Sequence, residues 1–491
     1  MDDCEPEQII FRTAMLFSKH IFSYKRTRVI FLLAGFSLLS GNILRAQQNN
    51  STQTYAFSLK QAIDYAIQNK PAVKNALLDE TIAQKKVNEI TGIGLPQLNG
   101  SLEFNDFLKL PTSFLPDFIS PSIYGVLAKE QLIDPGKVPT GEPALFPVQF
   151  GTKYTASAGL TLSQLIFDGS YIVGLKASKT YVDLSRRNTQ RTKIETATQV
   201  TKAYYTVIVN ERRLNLIDAN VTRLTKIFSD TKALNEQGFV EKLDVDRLSV
   251  TLNSLEIEKQ KLQNFIELSR YLLKFQMGMP VDAQLTLTDS ISESNFAALT
   301  DDKNDYTKRV EYGLLQTQKK LYTLDMQRHK STYLPSVAAF GSVSTQAQRN
   351  EFNFFDSDEK WFQTAVIGGK VSIPIFDGLQ KRARIQQSRL NIQKTDNDIL
   401  NLESAIALDI ANSRLMYENA TKTLETQRKN MELAQEIVRV TNIKYTEGVG
   451  SNLEVVNAEA SLKESQTNYF NALYDVIISQ VELSRARGTL Y

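Results

Sequence analysis

The tetrapeptide Ile166-Phe167-Asp168-Gly169 returns 209 positions later as Ile375-Phe376-Asp377-Gly378. Three other landmarks return in the same order at an offset of 210: Gly238 as Gly448, Leu243-Asp244-Val245 as Leu453-Glu454-Val455, and Gly278 as Gly488. A long internal period decides the architecture, because each copy must form the same structural unit. The chain is therefore a duplicated unit rather than a string of unrelated domains.

Each copy contains one tract that is free of helix breakers over an unusual length. Residues 171–237 hold no proline and a single glycine, Gly174, and residues 379–447 hold neither. At a rise of 1.5 Å per residue, a helix of that length runs about 100 Å. We predict that each long helix packs against two shorter helices placed end to end. The four shorter tracts are 58–91, 242–277, 305–332 and 453–487.

The shorter tracts that follow the glycine landmarks have the register of a coiled coil. The second copy places Val455, Leu462, Tyr469, Val476 and Leu483 at every seventh position, with Ala458, Ser465, Ala472, Ser479 and Ala486 three positions on. The first copy repeats the pattern with one interruption, at Lys259. Heptads sustained over four or more repeats predict coiled-coil packing. Taken alone, they favour an ordinary helical bundle without a transport role.

Four segments alternate between polar residues and apolar or small ones, at about 98–107, 154–166, 337–346 and 364–375. A period of two is that of a β-strand, and about ten residues cross a bilayer as a tilted strand. Four strands cannot close a barrel, and an open edge is not tolerated in hydrocarbon. Two chains would supply 8 strands and three would supply 12; otherwise the strands form two hairpins on a soluble helical body. A conducting barrel needs at least three chains, because 8 strands enclose only their own side chains.

The loops between paired strands differ in character. Residues 108–153 hold seven of the thirteen prolines, which predicts a long external loop. The second loop, residues 347–363, holds Phe352, Phe354, Phe355, Trp361 and Phe362. Aromatic residues near strand ends fit a belt at a membrane interface, and a small loop cluster that packs on itself is the alternative.

The N-terminus has the pattern of a secretory leader. Lys25, Arg26 and Arg28 precede an apolar stretch, residues 29–39, that is too short to span a bilayer, and Leu44-Arg45-Ala46 offers a small-residue cleavage site. We therefore expect residues 1–46 to be a signal peptide, with translation starting at Met1 or Met15. The sole cysteine, Cys4, lies upstream of the apolar stretch, so we expect no acyl anchor on the mature chain.

The composition argues against an enzyme, a metal protein or a nucleic-acid binder. After the predicted cleavage, 51 basic and 50 acidic residues remain, with one histidine, His329, and no cysteine. Near-neutral charge gives no footprint for nucleic acid, and neither a P-loop nor a dinucleotide motif is present. His329 lies in a polar stretch and is predicted to be solvated, while Asp168 and Asp377 are predicted to be turn or N-cap residues. We expect no cofactor.

The repeated order of helix, strand, loop, strand, long helix, glycine tip and helix resembles the TolC-like outer-membrane efflux protein family. The resemblance covers essentially the whole mature chain. Four local motifs support it: Ser58-Leu59-Lys60-Gln61-Ala62, Leu95-Pro96, Leu334-Pro335 and Arg487-Gly488-Thr489-Leu490. The chain would then consist of a first structural repeat, 47–280, a linker, 281–304, and a second repeat, 305–491.

The resemblance implies an α+β membrane protein of the cell outer membrane that extends into the periplasm. Three identical chains would form a 12-strand barrel with four transmembrane strands each, and their long coiled-coil helices would form a periplasmic α-barrel. It implies a passive exit duct for efflux or type I secretion, surrounded by outer-membrane lipid. Its partners would be a periplasmic adaptor and an inner-membrane pump of the RND or ABC type.

The resemblance also implies a gate at the two glycine tips. Family members bond a tyrosine and an arginine of the second tip to an acidic residue of the first, and the positions that match are Tyr445, Gly450 and Asp244. Glu454 and Asn457 match the acidic rings of the constriction, although Asn457 is neutral. Asp244 equally suits the first turn of a helix, where a carboxylate stabilises the helix dipole.

The predicted tips are also the expected contact points for the adaptor. The residues assigned to this contact are Gly238, Phe239, Gly448, Val449, Gly450 and Ser451. Gly448 and Gly450 are predicted to be turn residues that require a positive φ.

Two other functions fit parts of the sequence. A periplasmic adaptor has a helical hairpin, but it should show one hairpin inside soluble β-domains, whereas two are predicted here. A structural coiled-coil protein of the periplasm or surface would explain the heptads but not four alternating strands at duplicated positions. The sequence does not select a cargo among drugs, metals, lipids, peptides and proteins.

Overall fold

The structure is a computed structural model that describes residues 54–117, 119–138, 145–291 and 305–490. The predicted leader, residues 1–46, lies outside the described residues, as does most of the predicted linker, from residue 292 to residue 304. Contacts divide the described residues into a small unit, 54–56 with 282–286, and a large unit that holds the rest.

Eight strands and eight helices make up the described residues, together with short 3-10 turns at Pro135–Lys137 and Tyr306–Lys308. In chain order they are β1 (Thr54–Phe57), α1 (Leu59–Asn69), α2 (Pro71–Ile93), β2 (Gln97–Asp106), β3 (Thr112–Pro116), α3 (Ser120–Lys129), β4 (Leu145–Gln149), β5 (Tyr154–Phe167), α4 (Gly169–Glu236), α5 (Lys242–Met277), β6 (Gln284–Leu287), α6 (Val310–Ser331), β7 (Ser336–Arg349), β8 (Phe362–Ser372), α7 (Gln380–Thr446) and α8 (Asn452–Arg487). Strands β1 and β6 form a two-stranded sheet of their own.

The two long helices are α4, with 68 residues, and α7, with 67. Asp168 is the N-cap of α4, as predicted, and its Oδ1 accepts from the Tyr171 N–H at 2.8 Å. Helix α7 begins at Gln380 with Leu379 as its N-cap, and Asp377 lies just before it, where Oδ2 accepts from the Lys381 N–H at 2.9 Å. These bonds satisfy N–H groups that have no partner within the first turn of a helix. Among the described residues, no helix is both long and apolar enough to cross a membrane.

The predicted tract 58–91 is two helices rather than one. Pro71 has no N–H to donate and forces its predecessor out of the helical region, and Lys70 accordingly has φ −63° and ψ 125°. Lys70 ends α1, and Pro71 occupies the first position of α2, where a missing N–H costs nothing. The predicted tract 305–332 likewise begins with a 3-10 turn and becomes α6 only at Val310.

The long helices pack as predicted against shorter ones. Helix α4 lies along α2, where Thr189 Oγ1 donates to the Ala76 carbonyl at 3.0 Å, and then along α5. Helix α7 lies along α6, where Ser388 Oγ donates to Asp325 Oδ2 at 2.7 Å, and then along α8. The core between α4 and α5 is formed by Ile217, Leu224, Leu248, Leu252, Leu255, Leu262 and Ile266.

The end of α8 is fixed by a buried network of charges. Arg309, just before α6, donates to the Ala486 carbonyl at 3.0 Å and pairs with Asp409 of α7 at 3.0 Å and with Glu311 at 3.0 Å. Burial lowers the pKa of Arg309, but its hydrogen bonds to Glu311 and Asp409 outweigh that effect and raise the pKa above its ordinary value. The network ties α6, α7 and α8 together where the two shorter helices meet.

His329 is not solvated, contrary to the prediction. Its side chain is 16% exposed, and Nε2 lies 3.4 Å from Asp325 Oδ2, one helical turn earlier. The residues next to His329 in the sequence do not determine its exposure. Its partner is Asp325, which lies four positions earlier and therefore on the same face of the helix. No group of three or more histidine, cysteine or acidic side chains suited to a metal occurs in the described part of the chain.

The central sheet is antiparallel, in the order β2-β5-β7-β8. Its strands agree with the four predicted segments, with corrected bounds. Strands β5 and β7 have 14 residues each, because their ladder runs from Tyr154↔Arg349 down to Phe167↔Val337. Strand β8 ends at Ser372 rather than 375, because Pro374 cannot donate to the ladder. Among the described residues, β2 and β8 each have one paired and one unpaired edge.

The ladder sorts the side chains onto one apolar and one polar face. Cross-strand pairs such as Leu98↔Leu162 and Leu160↔Val343 lie on the first, and Asn99↔Thr161 and Ser344↔Thr364 lie on the second. Apolar members of the first face are exposed in the single chain, among them Leu102, Ile367 and Val371. The alternation predicted from the sequence is therefore a property of the whole sheet.

The loops between β2 and β5 and between β7 and β8 contain ordered elements and packed side chains. In the described part of the predicted long loop 108–153, β3 pairs with β4, and helix α3 lies between them in the chain. The second loop folds onto the apolar face of the sheet, where Phe352 packs against Phe104 and Tyr154 with ring centroids 5.7 and 6.0 Å apart. Phe354 packs against Phe352 and Trp361. Phe352, Phe355 and Phe362 stay mostly exposed, so the arrangement fits both the predicted belt and the self-packing cluster.

Leu248→Ala tests the core between α4 and α5. Leu248 is fully buried there, so the substitution should lower the free energy of unfolding by about 2–5 kcal/mol. Urea unfolding followed by circular dichroism at 222 nm measures the loss. Asn253→Ala, at an exposed position of the same helix, should change stability by less than about 0.5 kcal/mol. Equal losses in both variants would contradict this assignment of the core.

Candidate functional site

The two hairpin tips, residues 237–241 and 447–451, are built alike. Gly238 and Gly448 have φ of +81° and +76°, a conformation that glycine adopts at no steric cost. The next N–H reaches back over the last turn: Phe239 N donates to the Leu234 carbonyl at 2.9 Å, and Val449 N to the Lys444 carbonyl at 3.0 Å. These are the bonds of a Schellman motif, which ends a helix and reverses the chain.

Gly450 does not have the positive φ that was predicted for it, and its role is different. A β-carbon at this position would lie 3.0 Å from the Tyr445 nitrogen and 3.1 Å from Lys444 Cβ. The Gly450 N–H also donates to the Lys444 carbonyl at 2.9 Å. These contacts are tighter than a β-carbon normally makes, so a side chain at position 450 would require the end of α7 to shift by a few tenths of an ångström.

The tips expose apolar residues at duplicated positions. Phe239 and Val449 are 74% and 75% exposed, and Leu243 and Leu453 are about half exposed. Ser451 begins α8 and accepts from the Glu454 N–H at 3.3 Å. The predicted contact residues are thus brought together within each tip, and each tip presents two apolar side chains to its surroundings.

The structure does not form the predicted bond between Tyr445 and Asp244. The Tyr445 hydroxyl lies 3.1 Å from Oγ1 of Thr231, a fully buried residue of α4. Asp244 instead pairs with Arg247 at 3.5 Å, and its backbone carbonyl accepts from Asn452 Nδ2 at 3.4 Å. Asp244 lies in the first turn of α5, so the helix-dipole role is the one supported by the geometry. Tyr445 still joins the second hairpin to the first, through a different partner.

Glu454 is exposed and lies 3.6 Å from Lys444 of the same tip. The ammonium group offsets part of the negative charge that a ring of Glu454 side chains would present. Asn457, one turn further along α8, is exposed and neutral. Of the two positions matched to acidic residues, one therefore holds a carboxylate next to an ammonium group, and the other holds a neutral amide.

A second connection between the hairpins lies further along the helices. Asn220 of α4 donates to Gln466 of α8 at 2.6 Å, and Arg223 of α4 makes two bonds to Glu459 of α8, at 2.7 and 2.9 Å. Arg223 also donates to Asn220 Oδ1 at 3.0 Å. We call these four residues the polar seam. Asn220, Glu459 and Gln466 are all buried, so for each of them the hydrogen bond to its partner replaces a hydrogen bond to water.

The polar seam was not predicted from the sequence, although the heptads hold one signal for it. Glu459 and Gln466 each follow an apolar heptad position, Val455 or Leu462, by four residues. Such flanking positions of a coiled coil commonly hold the polar residues that choose a partner helix. Thr231 left no comparable signal, because a threonine in the interior of a long helix has no distinctive spacing.

Comparisons with known proteins agree with this fold. Residues 319–489 match the model of a family described as "Outer membrane efflux protein". The chain is 22% identical over 366 residues to "Nodulation protein T" of Rhizobium leguminosarum bv. trifolii, covering 72% of this chain and 75% of that protein. It is 20% identical over 341 residues to "Outer membrane protein TolC" of Vibrio cholerae, covering 68% and 77%.

A solved structure supports the same fold. The crystal structure of the outer membrane protein VceC from Vibrio cholerae aligns with a TM-score of 0.64 at 15% identity, over 88% of this chain and 96% of that one. The predicted resemblance to the TolC-like outer-membrane efflux protein family is confirmed, and so is the prediction of an outer-membrane location. The family description names an efflux protein rather than an enzyme.

Removing one charge of the ion pair in the polar seam should cost more stability than replacing both charges by apolar side chains. Arg223→Ala leaves Glu459 buried without its partner and should cost about 3 kcal/mol. Arg223→Met with Glu459→Leu removes both charges and should recover most of that loss, because apolar packing often equals a buried ion pair. Urea unfolding of the two variants gives both values. A double variant as unstable as Arg223→Ala would contradict the pairing.

Proposed function

We propose that this chain is one subunit of a homotrimeric outer-membrane duct, a passive conduit for export by a tripartite efflux or type I secretion system. The observation that carries the proposal is the four-stranded sheet, which has one apolar face, one polar face and two unpaired edges. Such a sheet suits a barrel wall between lipid and an aqueous lumen, provided that other copies complete it.

Three copies supply twelve strands with β8 of one chain beside β2 of the next. At about 4.8 Å between strands and a tilt of about 40°, twelve strands give a backbone radius of about 12 Å, which leaves room for a lumen. Eight strands from two copies would leave none. The helices α4 and α7, each about 100 Å long, then continue the wall into the periplasm as an α-barrel.

The hairpin tips would close the inner end of the duct. Tyr445 with Thr231 and the polar seam both join the hairpin of α7 and α8 to that of α4 and α5. Opening would move one hairpin away from the other, and these bonds would have to break. Glu454 would face the axis there and favour cations, with the field reduced by Lys444 and by the neutral Asn457.

The partners follow from the tips. The exposed apolar residues Phe239, Leu243, Val449 and Leu453 suit a periplasmic adaptor that presents apolar side chains of its own. An inner-membrane pump of the RND or ABC type would supply the energy, because the sequence of this chain holds no P-loop. The cargo stays open.

Two rival functions explain less. A structural coiled-coil protein without channel activity has no use for a sheet with one apolar and one polar face. A periplasmic adaptor would carry a single hairpin, and this chain has two of equivalent construction.

Tyr445→Phe removes one hydroxyl from the link between hairpins and should raise single-channel conductance in planar bilayers. Thr231→Val should act in the same direction, because it removes the other half of the bond. The control is Thr225→Val, whose hydroxyl bonds only to its own helix at the Val221 carbonyl. If both test variants conduct like the unaltered chain, Tyr445 does not hold the gate. Asp244→Ala should have little effect, because its side chain bonds within its own helix.

The oligomeric state tests the duct directly. The chain is solubilised from outer membranes in mild detergent, and its mass is measured by light scattering with the detergent subtracted. Three chains in one detergent-bound particle are expected, because barrel closure needs them. A monomer or dimer that binds no detergent would contradict the duct and favour the structural coiled-coil protein.

A further inference from the structure

Phe340 is one of the few large apolar residues on the polar face of the sheet, together with Leu165, Val366 and Phe362. That face is lined mainly by small or polar side chains, including Asn99, Ser101, Thr161, Ser163, Ser342 and Ser344. Among the four described strands, its other aromatic residue is Phe362, at the outer end of β8. A large apolar ring on a water-facing surface needs a reason, because it gains nothing from hydration.

The ring of Phe340 lies against Gly368. The two residues are directly opposite each other in the ladder between β7 and β8. A β-carbon at position 368 would lie 2.7 Å from Cζ of Phe340 and 3.0 Å from Cε1; the first distance is shorter than real β-carbon contacts, so the tip of the ring would have to move. Gly368 is also the one residue of β8 that is not exposed. The ring therefore lies flat over the glycine instead of standing up from the sheet.

The neighbouring glycine shows that space, and not backbone conformation, is what position 368 supplies. Gly369 points to the apolar face, and the nearest atom to a β-carbon there would be the Ala338 carbonyl oxygen at 3.9 Å. Neither glycine has a positive φ. An alanine would thus fit at 369 without adjustment, whereas at 368 it would have to displace the ring of Phe340.

We propose that Gly368 is a seat that holds Phe340 out of the bore and so sets the width of the duct at this level. The inference rests on the proposed function, because the polar face encloses a lumen only in a closed trimer. With a backbone radius of about 12 Å, three upright phenyl rings would take up roughly half of the radius. The absence of a side chain at position 368 of each chain thus keeps the passage open.

The test is single-channel conductance of full-length trimers in planar bilayers, measured with the unaltered tips and with Tyr445→Phe. Gly368→Ala should lower the conductance, because the ring is lifted into the bore. Gly369→Ala is the matched control and should leave it unchanged. Phe340→Ala should conduct like the unaltered chain, because the seated ring already lies outside the passage. Gly368→Ala combined with Phe340→Ala should regain what Gly368→Ala lost.

Three outcomes would overturn the seat. They are an unchanged conductance in Gly368→Ala, the same loss in the double variant, and a clear rise in Phe340→Ala, which would mean that the ring already obstructs the bore. Phe340→Ala remains decisive if Gly368→Ala fails to assemble. If the contact between ring and glycine served stability alone, Gly368→Ala would lower the heat resistance of the trimer without changing its conductance. If no trimer conducts, the unaltered one included, the proposed function fails instead.

Discussion

Backbone hydrogen bonding at the two edges of the sheet is the constraint on which the rest of the molecule depends. Strands β2 and β8 each leave a row of N–H and C=O groups without a partner in the single chain. In hydrocarbon each such group costs several kcal/mol, so in the proposed duct the apolar face can lie in lipid only when other chains complete the ring. In that proposal the duplication also serves closure, because each repeat supplies one hairpin of the wall together with the helices that extend it.

The features that the sequence predicted are those that a local rule determines. Asp168 begins a helix, glycines at 238 and 448 reverse the chain, and alternation in the four segments sets the faces of the sheet. Most of the features that it missed depend on contacts between distant residues. Tyr445 bonds Thr231 rather than Asp244 because of how two hairpins align, and the same alignment pairs Arg223 with Glu459. Gly450 is a local exception: it lacks a positive φ, and its constraint is the close approach of Lys444 and Tyr445 in the same tip.

The polar seam gives the two hairpins a specific but separable contact. An apolar interface of the same area would hold the helices together in several registers and would resist parting. Buried amide and ion-pair bonds are satisfied in one register only, since a shift leaves charges without partners. Once the hairpins part, the same groups are hydrated and the separated state is not penalised further. A joint of this kind suits a device that must close accurately and still open.

The unbroken length of α4 and α7 restricts how this chain can change over evolution. A short insertion in an ordinary loop is absorbed locally, but one residue added to a coiled coil rotates everything beyond it by about 100°. Here the paired shorter helix and the other repeat would lose register together, and in the proposed trimer so would the neighbouring chains. We therefore expect related chains to differ in helix length by whole heptads, gained or lost in α4 and α5 and in α7 and α8 together.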